Sequence, residues 1–265
     1  MRTILLALGS LAACAPGGTV RRPGFDTADT GGDTGMADTG DSQDTAATDT
    51  SDTGGPCAVD AALVDDTVCM DRYEAPNVAG ADPLVMYTFD EAAAWCDARG
   101  RRLCYDDEWQ DACEGAQGWA WPYGDTRVPG RCNDDKTWRT YDQTLLNGWP
   151  YGLPVSSVDS LAALLEFVRA QGSSAAAAAD HVAALYQGVG GGTDTGCVGE
   201  AGVFDLTGNV EEWTRRRDGG QPQFHGKLKG RYWAEARTCQ SGVTTHGDGF
   251  RFYEIGFRCC VDAAR

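Results

Sequence analysis

Three kinds of chemistry are thinly supplied in this sequence. Only three of its 265 residues are histidine (His181, His225 and His246, all far apart), and no two of its cysteines form a C-x-x-C pair. Structural zinc needs closely spaced Cys and His ligands, so that class of site is excluded. Cations are scarce too: 22 Lys and Arg face 39 Asp and Glu, for a formal charge of −17. Such a surface repels nucleic acid and anionic headgroups, which excludes both as partners held by charge. A membrane helix needs about 20 consecutive apolar residues. The longest interior candidate, residues 158–187, is broken by Glu166, Arg169, Asp180 and His181.

What is present begins at the N-terminus. Met1-Arg2, the apolar run from Ile4 to Leu8 and the small residues before Cys14 are the three parts of a secretory signal. Leu11-Ala12-Ala13-Cys14 resembles a bacterial lipobox, which implies cleavage before Cys14 and acylation of that cysteine. Several acyl chains hold far more firmly than one. Ala15 leaves the second mature position without an Asp, so the expected address is the cell envelope, on the outer membrane. An ordinary signal peptide cleaved near Ala13 is the alternative. Residues 15–56 then repeat Asp-Thr dipeptides separated by glycine. They offer no apolar contact to offset backbone entropy, so a disordered acidic tether is expected, averaging roughly 35 Å end to end. The repeats lack the spacing and the bidentate Glu of tight calcium loops.

Residues 57–265 carry the core-forming content and fit one domain. With one cation ahead of the tether and a net −6 within it, they keep a charge of −12. Their ten cysteines, an even number in an exported chain, read as disulfides. Thr88 and Glu91 have capping-box spacing, and Gly100 supplies a stop. Between them Phe89, Ala92, Trp95, Cys96 and Arg99 follow a one-sided helical rhythm. A second helix is expected from Asp106 through Trp109 and Ala112 to Cys113, before Gly115. Residues 158–187 read as two helices joined by Gly172-Ser173-Ser174, an insertion packing on one side. Elsewhere strand patterns are short or absent before the C-terminus. Of the tryptophans Trp119, Trp121, Trp138, Trp149 and Trp233, which could line a groove, most are expected in the core.

Three stretches stand out: Ala92 to Cys113, with Trp95-Cys96, Gly100-Arg101-Arg102-Leu103 and Asp107-Glu108-Trp109; the run from Gly202 to Trp213, which reads G-x-x-D-x-x-G-N-V-x-E-W; and Ile255-Gly256-Phe257-Arg258-Cys259. Together, and in this order, they resemble the formylglycine-generating enzyme, or sulfatase-modifying factor, family. Asp71-Arg72-Tyr73-Glu74 and Trp121-Pro122-Tyr123-Gly124 also look like stretches of exported members. The match covers most of residues 65–262, with 136–195 unaligned as a helical insertion. It implies an α+β fold related to C-type lectins, with much irregular loop stapled by disulfides. It also implies the pairs Cys96 with Cys259 and Cys113 with Cys239. Elimination and proximity then leave Cys132 with Cys197, Cys57 with Cys69, and Cys104 with Cys260.

The resemblance further implies calcium at the glycine loop, with carboxylates from Asp205 and Glu212 and main-chain oxygens from Gly208 and Val210. Asn133, with the carbonyl of Asp134, is a candidate for a second calcium site. Calcium favours six to eight hard oxygens, which such a loop can begin to supply. The alternative is that Asp205 and Glu212 only cap local backbone. The family's enzymes use two thiolates five residues apart to bind copper. The matching stretch, Leu228 to Cys239, has Ala234 where the second thiol belongs, and Lys229-Gly230-Arg231 in place of Gly-Gly-Ser. Copper is therefore not expected. A related branch that builds an iron site from histidines finds only His181 in the insertion. The expectation is an envelope lipoprotein whose domain is a non-catalytic module for an unidentified extracellular ligand or protein. The alternative is a copper- and oxygen-dependent oxidase converting a sulfatase cysteine to formylglycine.

Overall fold

The computed structural model describes residues 55–264; the signal segment, Cys14 and the tether up to residue 54 lie outside it. In chain order the elements are β1 (Ala61–Val64), β2 (Val68–Asp71), α1 (Phe89–Asp97), β3 (Arg102–Leu103), α2 (Asp106–Glu114), α3 (Gln143–Leu146), α4 (Leu161–Arg169), α5 (Ser173–Leu185), β4 (Glu211–Arg215), β5 (Gly226–Lys229), β6 (Gly242–Val243), β7 (Ile255–Phe257) and β8 (Cys259–Asp262). The class is α+β, with long irregular connections. The strands form two sheets, ordered β1-β2-β8-β3 and β6-β5-β4-β7. The first is antiparallel throughout, whereas β4 pairs parallel to β7, with Glu211 opposite Ile255. Arg258 alone separates β7 from β8, so one short segment closes both sheets.

Helix α1 forms where the capping box lies. The Glu91 amide donates to Thr88 Oγ1 at 3.2 Å and the Thr88 amide to Glu91 Oε2 at 3.0 Å, which satisfies two otherwise orphaned amides of the first turn. Gly100, at φ +68°, allows the chain to leave the helix. Phe89, Ala92, Trp95 and Cys96 are buried. Arg99 lies over the Trp95 ring at 3.4 Å and donates to the carbonyls of Val155 and Val158, so the packed face of α1 also receives the start of the 158–187 segment. Leu164, Val168, Ala178 and Val182 from α4 and α5 share one core with Trp95, Trp149, Trp213 and Phe257. Trp149, Trp233 and Trp121 are buried, while Trp138 is exposed.

Five disulfides bridge the described residues: Cys57–Cys69, Cys96–Cys259, Cys104–Cys260, Cys113–Cys239 and Cys132–Cys197. Cys259 and Cys260 are adjacent on a strand, so their side chains leave opposite faces of the sheet. One reaches back to α1 and the other to the residue after β3. Closing loops of 163 and 156 residues removes unfolded-state entropy on the order of 5 kcal/mol for either bridge taken alone.

Candidate functional site

The glycine loop before β4 is built around Asn209. Its carboxamide nitrogen donates to Glu74 Oε1 at 2.9 Å and to the Val189 carbonyl at 3.1 Å, and its oxygen accepts from the Val189 amide at 2.8 Å and Asn133 Nδ2 at 3.2 Å. One side chain thus ties together β2's exit, the loop after α5 and the Asn133 turn. Gly208 makes the close approach possible: at φ +80°, a Cβ there would stand 2.5 Å from the Asn133 carbonyl oxygen. That same oxygen accepts the Asn209 amide at 2.7 Å.

Beneath the loop lies a fully buried ion pair. Arg258 donates through Nη2 to Glu212 Oε1 at 2.6 Å and through Nε to Glu212 Oε2 at 2.7 Å, and Trp109 Nε1 adds a third donor to Oε2 at 3.0 Å. Neither Arg258 nor Glu212 has any exposed side-chain surface. The guanidinium spends its remaining donors on main chain, including the Phe204 carbonyl at 3.0 Å.

Two further acids are buried close by, Glu74 and Asp205, each with one oxygen lacking a hydrogen-bond partner. Asp205 Oδ2 accepts the Gly192 amide at 2.7 Å, whereas Oδ1 is unmatched. Burial pushes the Asp205 carboxyl up to about 7, and burial together with the neighbouring Asp205 charge pushes Glu74 well above the usual carboxylate range.

The five implied calcium ligands are therefore not equivalent. Asp205 keeps an open, buried oxygen, which fits a cation, and Asn133 Oδ1 is likewise buried and unmatched. Glu212 is committed to a guanidinium and an indole N–H. Among the described residues no three His, Cys, Asp or Glu side chains converge on one point. Asp134, beside Asn133, is held by Arg127 at 2.7 Å.

The stretch from Leu228 to Cys239 begins in β5, beside β4, and its Arg231 reaches Glu211. Cys239 is fully buried and bridged to Cys113, and Ala234 carries no thiol, so these residues do not fit a thiolate-bound copper. Lys229, also fully buried, donates to the Cys239 carbonyl at 2.6 Å and to Gln110 Oε1 at 3.2 Å. Burial brings its ammonium down to about 8, with Lys227 adding to the shift. Next along the chain, Arg231 bridges Glu211 at 3.1 Å and Glu235, and Arg237 meets Glu235 at 2.7 Å. A chain of ion pairs thus occupies the face beside Ala234. Glu254 lies within reach of these charges without pairing with any of them, and its buried Oε2 finds no donor.

Glu74, Asn209, Lys229, Arg258 and Glu254 are the residues to which the sequence assigned no role. The one signal from placement was Arg258, which sits within the apolar run from Ile255 to Val261, where a charge requires a partner.

Residues 48–263 match the model of the sulfatase-modifying factor enzyme 1-like domain. Among solved structures, CarF aligns at 13% identity over 75% of this chain and 87% of its own, with a TM-score of 0.45. PvdO from Pseudomonas aeruginosa aligns at 15% identity over 74% and 80%, with a TM-score of 0.40. The Major Tropism Determinant P3c variant aligns at 12% identity and a TM-score of 0.43; the match covers 77% of this chain and 53% of that one, so the chain spans about half its length.

Glu254 makes the face beside Ala234 pH-sensitive. Burial, then the charge of Glu211, raises its carboxyl from the ordinary 4.5 to about 8. The folded state therefore holds a proton that the unfolded state has lost, and stability falls as pH rises through that window. Glu254→Gln removes the titration. Its melting temperature is expected to exceed the parent's at about pH 9, by a gain on the order of 1 kcal/mol, and the two curves are expected to converge towards pH 5. A pH-independent difference would assign the effect to packing.

Proposed function

The chain belongs to the sulfatase-modifying factor enzyme 1-like domain family, and from that premise we propose that it is an envelope lipoprotein whose domain is a non-catalytic module for an extracellular ligand or protein. One observation carries the reading: Cys239 is buried in a bridge to Cys113, and Ala234 occupies the position five residues before it. Two-coordinate Cu(I) needs two soft ligands held together. The carbonyl of Cys239 is in addition anchored by Lys229, and the adjoining face is filled by paired arginines and glutamates rather than by an open thiol cleft. The fold then serves as scaffold, since a family's architecture hosts functions beyond its founding chemistry.

The test is direct. Non-reduced protein is expected to show no reactive thiol, a Cys113 to Cys239 linked peptide by mass mapping, and no oxidation of a cysteine-containing sulfatase peptide with copper and oxygen supplied. A free Cys239 together with tight copper binding would instead support the oxidase.

Localisation rests on the Leu-Ala-Ala-Cys stretch at residues 11–14. With acyl chains on Cys14 as the anchor, Cys14→Ser is expected to move the protein from the membrane fraction to the soluble one. Retention of that variant in membranes would remove the lipoprotein part of the reading.

A structural calcium ion also belongs to it, held by Asp205 with the main-chain oxygens of Gly208 and Val210. Glu212, already matched by Arg258, is left out of the ligand set. A ligand that binds only the folded state adds RT ln(1 + [L]/Kd) to stability, so a chelator is expected to lower the melting temperature of the parent and to leave Asp205→Asn unmoved. Identical parent curves with and without chelator would leave Asp205 as a backbone cap.

A further inference from the structure

Between α3 and the stretch that precedes β7 lies a cavity of about 340 Å³, lined by Gln143, Asn147 and Tyr151 in or just after the helix and by Gly249, Phe250 and Arg251 in that stretch. Met86 and Leu146 are its buried members, whereas Gln143, Asn147, Tyr151 and Gly249 are exposed, so the cavity opens to solvent. No carboxylate lines it, although the chain has a formal charge of −17. Its one cation is already spent. Arg251 donates to the main-chain carbonyls of Pro150 at 2.6 Å and Trp149 at 2.8 Å, and stands 3.9 Å from Glu91. A charged ligand would lose water here without gaining a partner, so the cavity selects an uncharged one.

Of the rings around it, only one has a face to offer. Phe250 is covered by the His246 ring, with centroids 3.8 Å apart, and Phe252 by Tyr141 and Tyr253. Arg251 lies against Tyr151 at 3.8 Å and fixes that ring from one side, yet Tyr151 is 75% exposed, more than any other described large hydrophobic residue. A rigid ring with a polar tip gives contact area at little cost in rotamer freedom. Close to it, Gln143 Nε2 donates to Asn147 Oδ1 at 2.9 Å. That bond orients both side-chain amides and leaves the Gln143 oxygen to accept and the Asn147 nitrogen to donate, both on exposed residues. Two adjacent hydroxyls, each able to donate and to accept, satisfy such a pair. Gly249 leaves the space for them: a Cβ built there meets no atom within 4 Å.

We propose that this cavity binds a neutral saccharide, one pyranose ring laying its C–H face on Tyr151 while two neighbouring hydroxyls meet Gln143 and Asn147. A pyranose with equatorial hydroxyls is apolar across its faces and polar around its edge, the same division that Tyr151 and the two amides make. The volume falls at the small end of the range for small-molecule sites, which suits a short saccharide. The site rests on the reading of the domain as a binding module, and the two fail separately, because the Cys113 to Cys239 linkage is measured without sugar.

Methyl β-D-glucopyranoside serves as probe, titrated into the isotopically labelled full-length protein and followed by NMR shift changes. Saturable changes are expected at the amides of Asn147, Tyr151 and Gly249. Glucuronate, a similar ring bearing a carboxylate, is expected to bind at least threefold more weakly. Tyr151→Ala, which removes the stacking face, is expected to lose at least fivefold in affinity while melting with the parent, and Asn147→Ala at least threefold. Because Arg251 also packs on Tyr151, Gly249→Leu gives a second test from the other wall. Its backbone lies outside the left-handed region, so the new side chain fills the cavity without strain, and saturation is expected to vanish. Affinity within twofold of the parent in either of these two variants, once folded, would overturn the assignment. So would glucuronate binding as tightly as the glucoside, or the absence of saturation by the glucoside. A proline-rich peptide shifting these amides where the glucoside does not would likewise overturn it, marking a peptide groove.

Discussion

The pairing of Arg258 with Glu212 is the constraint on which the two sheets depend. Arg258 lies in the single-residue step between β7 and β8, so its position is set by both sheets at once. Glu212 stands in β4, paired on one side with β5 and on the other with β7. Charges taken wholly out of water survive only with near-complete matching, and breaking such a pair from one side costs roughly 3–5 kcal/mol. Here both carboxylate oxygens face the guanidinium, Trp109 from α2 supplies a further donor, and main-chain oxygens take the rest. Helix α2, the glycine loop and the C-terminal strands are thereby fixed by one contact. Removing both charges together is a different matter, because hydrophobic replacements of equal volume often stabilise as well or better.

Around that contact the domain trades regular structure for covalent and polar ties. Strands of two to five residues cannot hold two sheets by ladders alone. Asn209 supplies in four hydrogen bonds what a longer ladder would supply elsewhere, and the bridges from Cys259 and Cys260 lock the same segment to α1 and to the end of β3. Three of the acids left partly unmatched, Glu74, Asp205 and Glu254, lie in the loops and strand junctions that these ties hold shut.

Local patterns in the sequence were readable because their causes are local. Thr88 and Glu91 are three residues apart, and the capping box they form is seen in the structure. The periodicity from Phe89 to Cys96 likewise marks the buried face of α1, and the two helices around Gly172 follow their apolar spacing. Family resemblance pointed to the glycine loop as a whole. It did not reveal what each acid in the loop meets. Glu212 reaches Trp109 and Arg258 across 103 and 46 residues, and Asn209 reaches Glu74 across 135; no window of sequence contains both partners. Lys229 was legible only as a departure from Gly-Gly-Ser, since its acceptor is a main-chain carbonyl ten residues away. Arg215, Arg216 and Arg217 are adjacent in the sequence, and only the fold distinguishes Arg215 as the one without an ion-pair partner among the described residues.

The order of the cysteines along the chain sets an order for their oxidation. Cys57 and Cys69, twelve residues apart, can close first. Cys132 and Cys197 can follow once both have emerged. Cys96, Cys104 and Cys113 must wait as thiols, because their partners stand at positions 239, 259 and 260. Thiols that wait together can join one another first, and such wrong bridges are undone only by exchange through mixed disulfides. A polypeptide stopped short of residue 239 would hold Cys96, Cys104 and Cys113, yet none of their mates. Residues 239–260 therefore act as a checkpoint: only a chain made as far as Cys260 can close all five bridges of the described residues.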